Sequence, residues 1–157
     1  MRKSFFYLKV LPMDRNGCMD KALLLLGIRE HNRQELRTKL IAKGADAKMA
    51  DGVLDELEHE GSLSDFRYAQ SFIRSSNRRH PEGRSVMLMR LAQKGTDRSA
   101  SARAVELAYT PEYTAELAAR ALEAIERNGK AKTGQEKSFL LRKLGFKPSD
   151  IGGDDGF

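Results

Sequence analysis

Three glycines constrain what this chain can fold into. Gly44, Gly95 and Gly145 stand 51 and 50 residues apart in a chain of 157. Each closes a basic, leucine-bearing stretch, LRTKLIAKG, LMRLAQKG and FLLRKLG in turn. A leucine stands four residues before each glycine, at Leu40, Leu91 and Leu141. Further back, Ala22-x-x-Leu25-Leu26, Ala69-x-x-Phe72-Ile73 and Ala119-x-x-Leu122 precede their glycines by 22, 26 and 26 residues. Two matches per unit at a near-constant period predict tandem units. Leu, Ala, Arg, Lys and Glu dominate, Trp is absent and Pro occurs 4 times, so the units are expected to be helical.

Each unit reads as three short helices. In the first, Ala22, Leu25, Leu26 and Arg29 follow helical spacing. Asn32 and Glu35 form a capping-box pattern before a helix with Leu36, Leu40 and Ile41 inward, which Gly44 ends. Asp46 caps a third, with Met49, Val53, Leu54 and Leu57 inward. In the second unit Ser64 caps a helix bearing Phe66, Ala69, Phe72 and Ile73. Pro81 suits the first turn of the next, which carries Met87, Leu88 and Leu91, and Ala102, Val105 and Leu107 mark the third. In the last unit Thr110 and Pro111 open a helix through Leu117, Ala121, Leu122 and Ile125, and Thr133 with Glu136 repeats the capping box before Phe139, Leu140, Leu141 and Leu144. The closing KPSDIGGDDGF is too short and glycine-rich for a third helix. The expected fold is all-α: an elongated array of three tandem three-helix repeats, the last one truncated. Its expected parts are a flexible arm (1–17), repeats at 18–61, 62–109 and 110–147, and a disordered acidic tail (148–157).

Enzyme chemistry finds little support. His31, His59 and His80 are scattered among charged neighbours without metal-ligand spacing, and Cys18 is the single cysteine, so neither a zinc site nor a disulfide is expected. Glu58-His59-Glu60 reads as a solvated helix end. Gly129-x-x-x-x-Gly134 imitates a phosphate loop but is followed by Gln135 and Glu136, not Lys and Ser/Thr. The expectation is a protein without catalytic residues, metal or cofactor. The longest apolar run, Ala22–Leu26, is far too short to cross a membrane. The N-terminal MRKSFFYLKVLPM has the order of a signal peptide, but Lys9 interrupts it and no small-residue cleavage site follows. A monomer in the reducing cytoplasm is expected.

The run Ala22-x-x-Leu25-Leu26-x-x-Arg29-x-x-Asn32-x-x-Glu35-Leu36-x-x-Lys39-Leu40-x-x-Lys43-Gly44 resembles the opening of RecX proteins, regulators of the RecA recombinase. The likeness continues through Val53-Leu54-x-x-Leu57-x-x-x-Gly61-x-Leu63-x-Asp65-x-Arg67-Tyr68-Ala69-x-x-Phe72, and returns with Gly83 and Leu91-x-x-Lys94-Gly95. RecX-like proteins are built of three-helix repeats. The resemblance implies a chain that lodges in the groove of a RecA filament on single-stranded DNA, inhibits ATP hydrolysis and strand exchange, and favours disassembly. Three departures stand out: Arg90 where the family usually has Glu, Thr96 where it has Ile, and a lost terminal helix.

Charge locates the working surface. The net charge is +6 and the pI near 9.5, which suits a polyanion or an acidic protein surface as partner. Residues 1–61 carry a net +1, residues 62–109 a net +5 and residues 110–157 a net of zero. Arg78, Arg79 and Arg84 gather around the loop NRRHPEGR, where Gly83 lets a backbone come close. With Arg74 and Arg90 they are the expected contact to filament DNA or recombinase, because a guanidinium grips phosphate or carboxylate in a fork. Arg33 and Arg37 form a second, weaker patch on the first repeat. A solvated charged face, a general helical DNA-binding protein that competes for DNA without touching recombinase, and a purely structural adaptor remain open. The terminal GGDDGF resembles the acidic, Phe-ending tails of single-strand-binding proteins, through Asp154, Asp155 and Phe157, but lacks their proline; a disordered end is expected.

Overall fold

A computed structural model of the chain describes residues 12–151, and among them every regular element is helical. The order is α1 (Arg15–Ile28), α2 (Arg33–Ala42), α3 (Ala47–His59), α4 (Asp65–Arg79), α5 (Arg84–Gln93), α6 (Arg98–Ala108), α7 (Pro111–Arg127) and α8 (Gly134–Lys143), followed by a 3-10 turn at Pro148–Ile151. Short polar side chains set the starts. Asp14, Asn32, Asp46, Asp97, Thr110 and Thr133 each accept from a backbone N–H in the first turn of the helix that follows. Thr133 and Glu136 complete a reciprocal capping box.

The glycine cadence is a recurring helix stop. Gly44, Gly95 and Gly145 have φ of 100°, 74° and 90°, where a Cβ is disfavoured. After each, the next residue's N–H reaches back to the leucine four before the glycine: Ala45 to Leu40 at 3.1 Å, Thr96 to Leu91 at 3.2 Å and Phe146 to Leu141 at 3.1 Å. These are the long bonds of a Schellman cap. The three leucines and the three residues beyond the glycines are all buried, so each cap turns the chain inward.

The chain divides at Ser64/Asp65 into two compact units. In the first, α1 to α3 surround Cys18, Ala22, Leu36, Leu40, Ala50, Val53, Leu54, Leu57 and Leu63. Each fully buried leucine contributes about 1.5–3 kcal/mol. The second unit holds α4 to α8 and the 3-10 turn around one continuous core from Tyr68 to Phe146. The second and third expected repeats therefore share a core, consistent with three short helices having too little apolar surface to stand alone.

Several boundaries move. The arm was expected to reach residue 17, but Asp14 caps α1 and Arg15 begins it. The tail was expected to be disordered from 148, yet Pro148–Ile151 form a turn, with Asp150 Oδ2 accepting from Lys147 N–H at 2.7 Å. Residues 1–11 and 152–157, with Asp154, Asp155 and Phe157, lie outside the described residues. Pro81 is not in the first turn of α5; Gly83 is its N-cap. Ile41, expected inward, is 38% exposed, and Ala102, Leu107 and Phe139, apolar markers of their helices in the sequence, also face solvent, Leu107 at 60% and Phe139 at 65% exposure.

His31 carries a pH response. It is 2% exposed, with Nδ1 3.0 Å from the Arg29 carbonyl oxygen and Nε2 2.8 Å from Lys39 Nζ. An ammonium only donates, so Nε2 accepts and the Nδ1–H donates to Arg29. Burial lowers the imidazole pKa below 6.5; the carbonyl bond opposes this, and the charges of Arg29 and Lys39 add to the lowering. Partial burial pushes the neighbouring Glu35 carboxyl up, but hydrogen bonds from Arg29 and Lys39 outweigh it and hold the group at about 2. The unfolded chain thus binds a proton at His31 that the folded chain refuses. This stability is whole above pH 6.5 and falls as pH drops from there toward the lower folded pKa. Thermal melts followed by circular dichroism are expected to show a lower midpoint near pH 5.5 than near pH 7.5, with a smaller difference in His31→Gln.

Candidate nucleic-acid interface

The expected basic loop connects α4 to α5, and its backbone is fastened from several sides. Asn77, fully buried in the last turns of α4, accepts from the Glu82 N–H at 3.1 Å through Oδ1 and donates to the Tyr109 hydroxyl at 2.9 Å through Nδ2. The Tyr109 hydroxyl donates to the Glu82 carbonyl at 2.9 Å, which closes the ring of bonds. Burial pushes the Tyr109 phenol up to about 12, so it remains a donor. Arg120 of α7 donates to the carbonyls of Asn77 and Arg78, at 3.1 and 3.3 Å, at the end of α4. The Gly83 N–H donates to the Leu144 carbonyl at 2.7 Å. A Cβ on Gly83 would stand 2.1 Å from the Gly145 oxygen. The close backbone approach expected at Gly83 is therefore made by the chain's own Gly145.

Side chains that leave this frame are cationic. Arg74, Arg78, Arg79 and Arg84 are exposed, and no ion pair holds them among the described residues. Arg74 and Arg78 share one face of α4 at i, i+4 spacing. Arg78 and Arg79 sit in the last turn, where the helix dipole favours a cation whatever it binds. Arg84 is different. It is the first residue of α5, a helix with no acidic residue in its first turn and no side-chain cap, so the dipole opposes its charge. Helix stability does not account for Arg84. Arg74 also edges a shallow groove of about 350 Å³ with Gln70, Ile73, Ala104, Leu107 and Tyr113.

The other three expected arginines are engaged elsewhere. Arg90 donates to Ser76 Oγ at 2.6 Å, pairs with Glu82 and lies 5.1 Å over the Phe72 ring. It ties α5 to α4 and to the loop, a role in packing and not in free contact. Arg90→Ala is expected to cost about 1–3 kcal/mol in urea denaturation, through the missing charged hydrogen bonds and ring stacking, while Arg84→Ala changes stability little. Arg33 is gripped by Asp55 at 2.7 Å and Glu58 at 2.6 Å. Arg37 makes a forked contact with Asp51 at 2.6 and 3.1 Å. The patch expected on the first repeat is thus a staple between α2 and α3. Those acids stand 14 to 25 residues away, a distance at which helical spacing is silent.

Asn77, Tyr109 and Arg120 went unnoticed in the sequence. A signal did exist: a Ser-Ser-Asn run, poor in helix propensity, occupies the end of α4 just before the basic pair of its last turn.

Residues 18–57 match the family model for RecX, first three-helix domain. The regulatory protein RecX of Pelodictyon phaeoclathratiforme is 40% identical over 79 residues, 50% of this chain and 49% of that protein. The one from Prosthecochloris aestuarii is 39% identical over 82 residues, 52% of this chain and 54% of that protein. The chain thus spans about half the length of the curated relatives it matches. Among solved structures, a regulatory protein RecX superposes with a TM-score of 0.76 at 22% identity, covering 88% of this chain and 70% of that one. RecX from Lactobacillus salivarius gives 0.73 at 21% identity, covering 88% and 92%. These two show a shared all-helical fold. No described helix is long and apolar enough to cross a membrane.

Proposed function

We propose that this chain, which belongs to the RecX family, is a non-enzymatic regulator of RecA filaments on single-stranded DNA. It lodges in the filament groove, inhibits ATP hydrolysis and strand exchange, and promotes disassembly. It works as a cytoplasmic monomer and needs no cofactor. The observation that carries the reading is the α4–α5 corner: four exposed arginines without ion partners among the described residues, on the two helices that flank a loop whose backbone is pinned by Asn77, Tyr109 and Leu144. Helix ends joined by a pinned loop present their cations with little backbone ordering cost, which favours docking on a periodic array of phosphates or carboxylates.

Co-sedimentation tests this. Recombinase filaments are assembled on single-stranded DNA with a non-hydrolysable nucleotide, and the labelled chain is titrated against them and against the same DNA bare. The chain is expected to pellet with filaments at concentrations that leave bare DNA mostly unoccupied. Equal affinity for both would replace this reading with that of a DNA competitor.

A further inference from the structure

We infer that α8 and the loop before it form a direct binding site for single-stranded DNA, with Phe139 as a stacking platform for a base. The last third of the chain is neutral as a whole, but the helices divide the charge. Residues 111–127, which make α7, hold four acids and two bases. Residues 128–147, which hold α8 and its flanks, contain six bases and one acid. The one acid, Glu136, is committed to the backbone: its carboxylate accepts from the N–H groups of Lys132 and Thr133. Lys130, Lys132, Arg142 and Lys143 are exposed, and no ion pair holds them among the described residues.

Phe139 stands amid this charge, 65% exposed and outside the unit's core. Arg142 and Lys143 follow it at i+3 and i+4, hence on the same helix face. A cleft of about 350 Å³ runs beside it, lined by Lys130, Gln135, Glu136, Phe139 and Leu140. An exposed phenylalanine alone suits many protein partners, and unpaired cations alone suit any polyanion. Together they suit a polyanion that offers aromatic faces of its own. Duplex DNA hides those faces in its stack; a single strand does not.

The site adjoins the arginine corner. Lys130 lines this cleft and also a second one of about 190 Å³, where it meets His80 and Pro81 of the α4–α5 loop. A strand laid from the loop past Lys130 reaches Phe139. The choice of DNA over RNA rests on the recombinase reading above; the stacking does not.

Fluorescence anisotropy with a labelled oligo-dT, in the absence of recombinase, provides the test. The wild type is expected to bind oligo-dT more tightly than a duplex of equal length. Phe139→Ala is expected to weaken binding by about five- to a hundredfold, with an unchanged circular dichroism melt because the ring is exposed. Phe139→Trp restores it and Phe139→Leu does not, since a ring face is required. Arg142→Ala/Lys143→Ala reduces the salt slope by roughly 0.7 for each phosphate no longer neutralised. Wild-type affinity in Phe139→Ala or Phe139→Leu, or equal binding of duplex, would overturn the site. Tighter binding of oligo-rU than of oligo-dT would overturn its assignment to DNA. Failure here leaves filament co-sedimentation untouched, and the converse holds as well.

Discussion

Gly83→Ala is expected to lower the melting temperature by about 10 °C. The cause is not backbone torsion, because Gly83 has φ of −76°, which alanine adopts freely. The cause is space. The new Cβ would lie 2.1 Å from the Gly145 oxygen, 2.3 Å from its carbonyl carbon and 2.8 Å from the Phe146 nitrogen. All three are backbone atoms, held by the cap in which Phe146 bonds to Leu141. No rotamer relieves the clash, so the seam between α5 and the end of α8 must open. That also breaks the bond from the Gly83 N–H to Leu144, at a total cost of about 3 kcal/mol. Gly52→Ala is the control. Gly52 is an exposed helical residue with nothing within 4 Å of its added Cβ, and alanine there is expected to stabilise by about 0.5–1 kcal/mol. A Gly83→Ala protein that melts with the wild type would contradict the packing of Gly83 on Gly145.

The second large effect is on binding. Arg78→Ala/Arg79→Ala/Arg84→Ala is expected to weaken association with recombinase filaments by roughly a hundredfold or more, since each charge-assisted hydrogen bond to the filament contributes about 1.5–3 kcal/mol. The melting temperature should hardly move, because none of the three side chains has an ion partner among the described residues. Filament binding should also become less sensitive to salt, as fewer counterions are released. Replacement of the same three by lysine keeps the charge and removes the fork, so affinity is expected to fall between the two extremes. The contrast with Arg90→Ala is informative: that variant loses stability first, and any binding defect follows from a loosened loop.

Local signals in the sequence carried far. A glycine after a leucine-rich basic stretch marked all three Schellman caps, because only the left-handed conformation satisfies the trailing carbonyls cheaply there. Asn32, Asp46, Thr110 and Thr133 were legible as caps for the same reason, a short acceptor before an apolar period. What stayed hidden was long-range. Arg33 and Arg37 look free on their own helix, and only the packing of α2 on α3 brings Asp51, Asp55 and Glu58 to them. Asn77 and Tyr109 are 32 residues apart and meet only when α6 packs on α4. Consecutive apolar residues also defeat a periodicity argument. Phe139, Leu140 and Leu141 all fit a helical stripe, yet Leu141 is buried and Phe139 points out. In the same way, a net charge of zero over residues 110–157 concealed an acidic α7 beside a basic α8.

The most direct measurement is recombinase ATP hydrolysis on single-stranded DNA, titrated with this chain while DNA sites are in large excess over it. A regulator seated on the filament is predicted to arrest hydrolysis at concentrations far below that of DNA sites, and the triple arginine-to-alanine variant to need at least about tenfold more. Inhibition that begins only when enough chain is present to coat the DNA, or that is indifferent to the three arginines, would contradict the account.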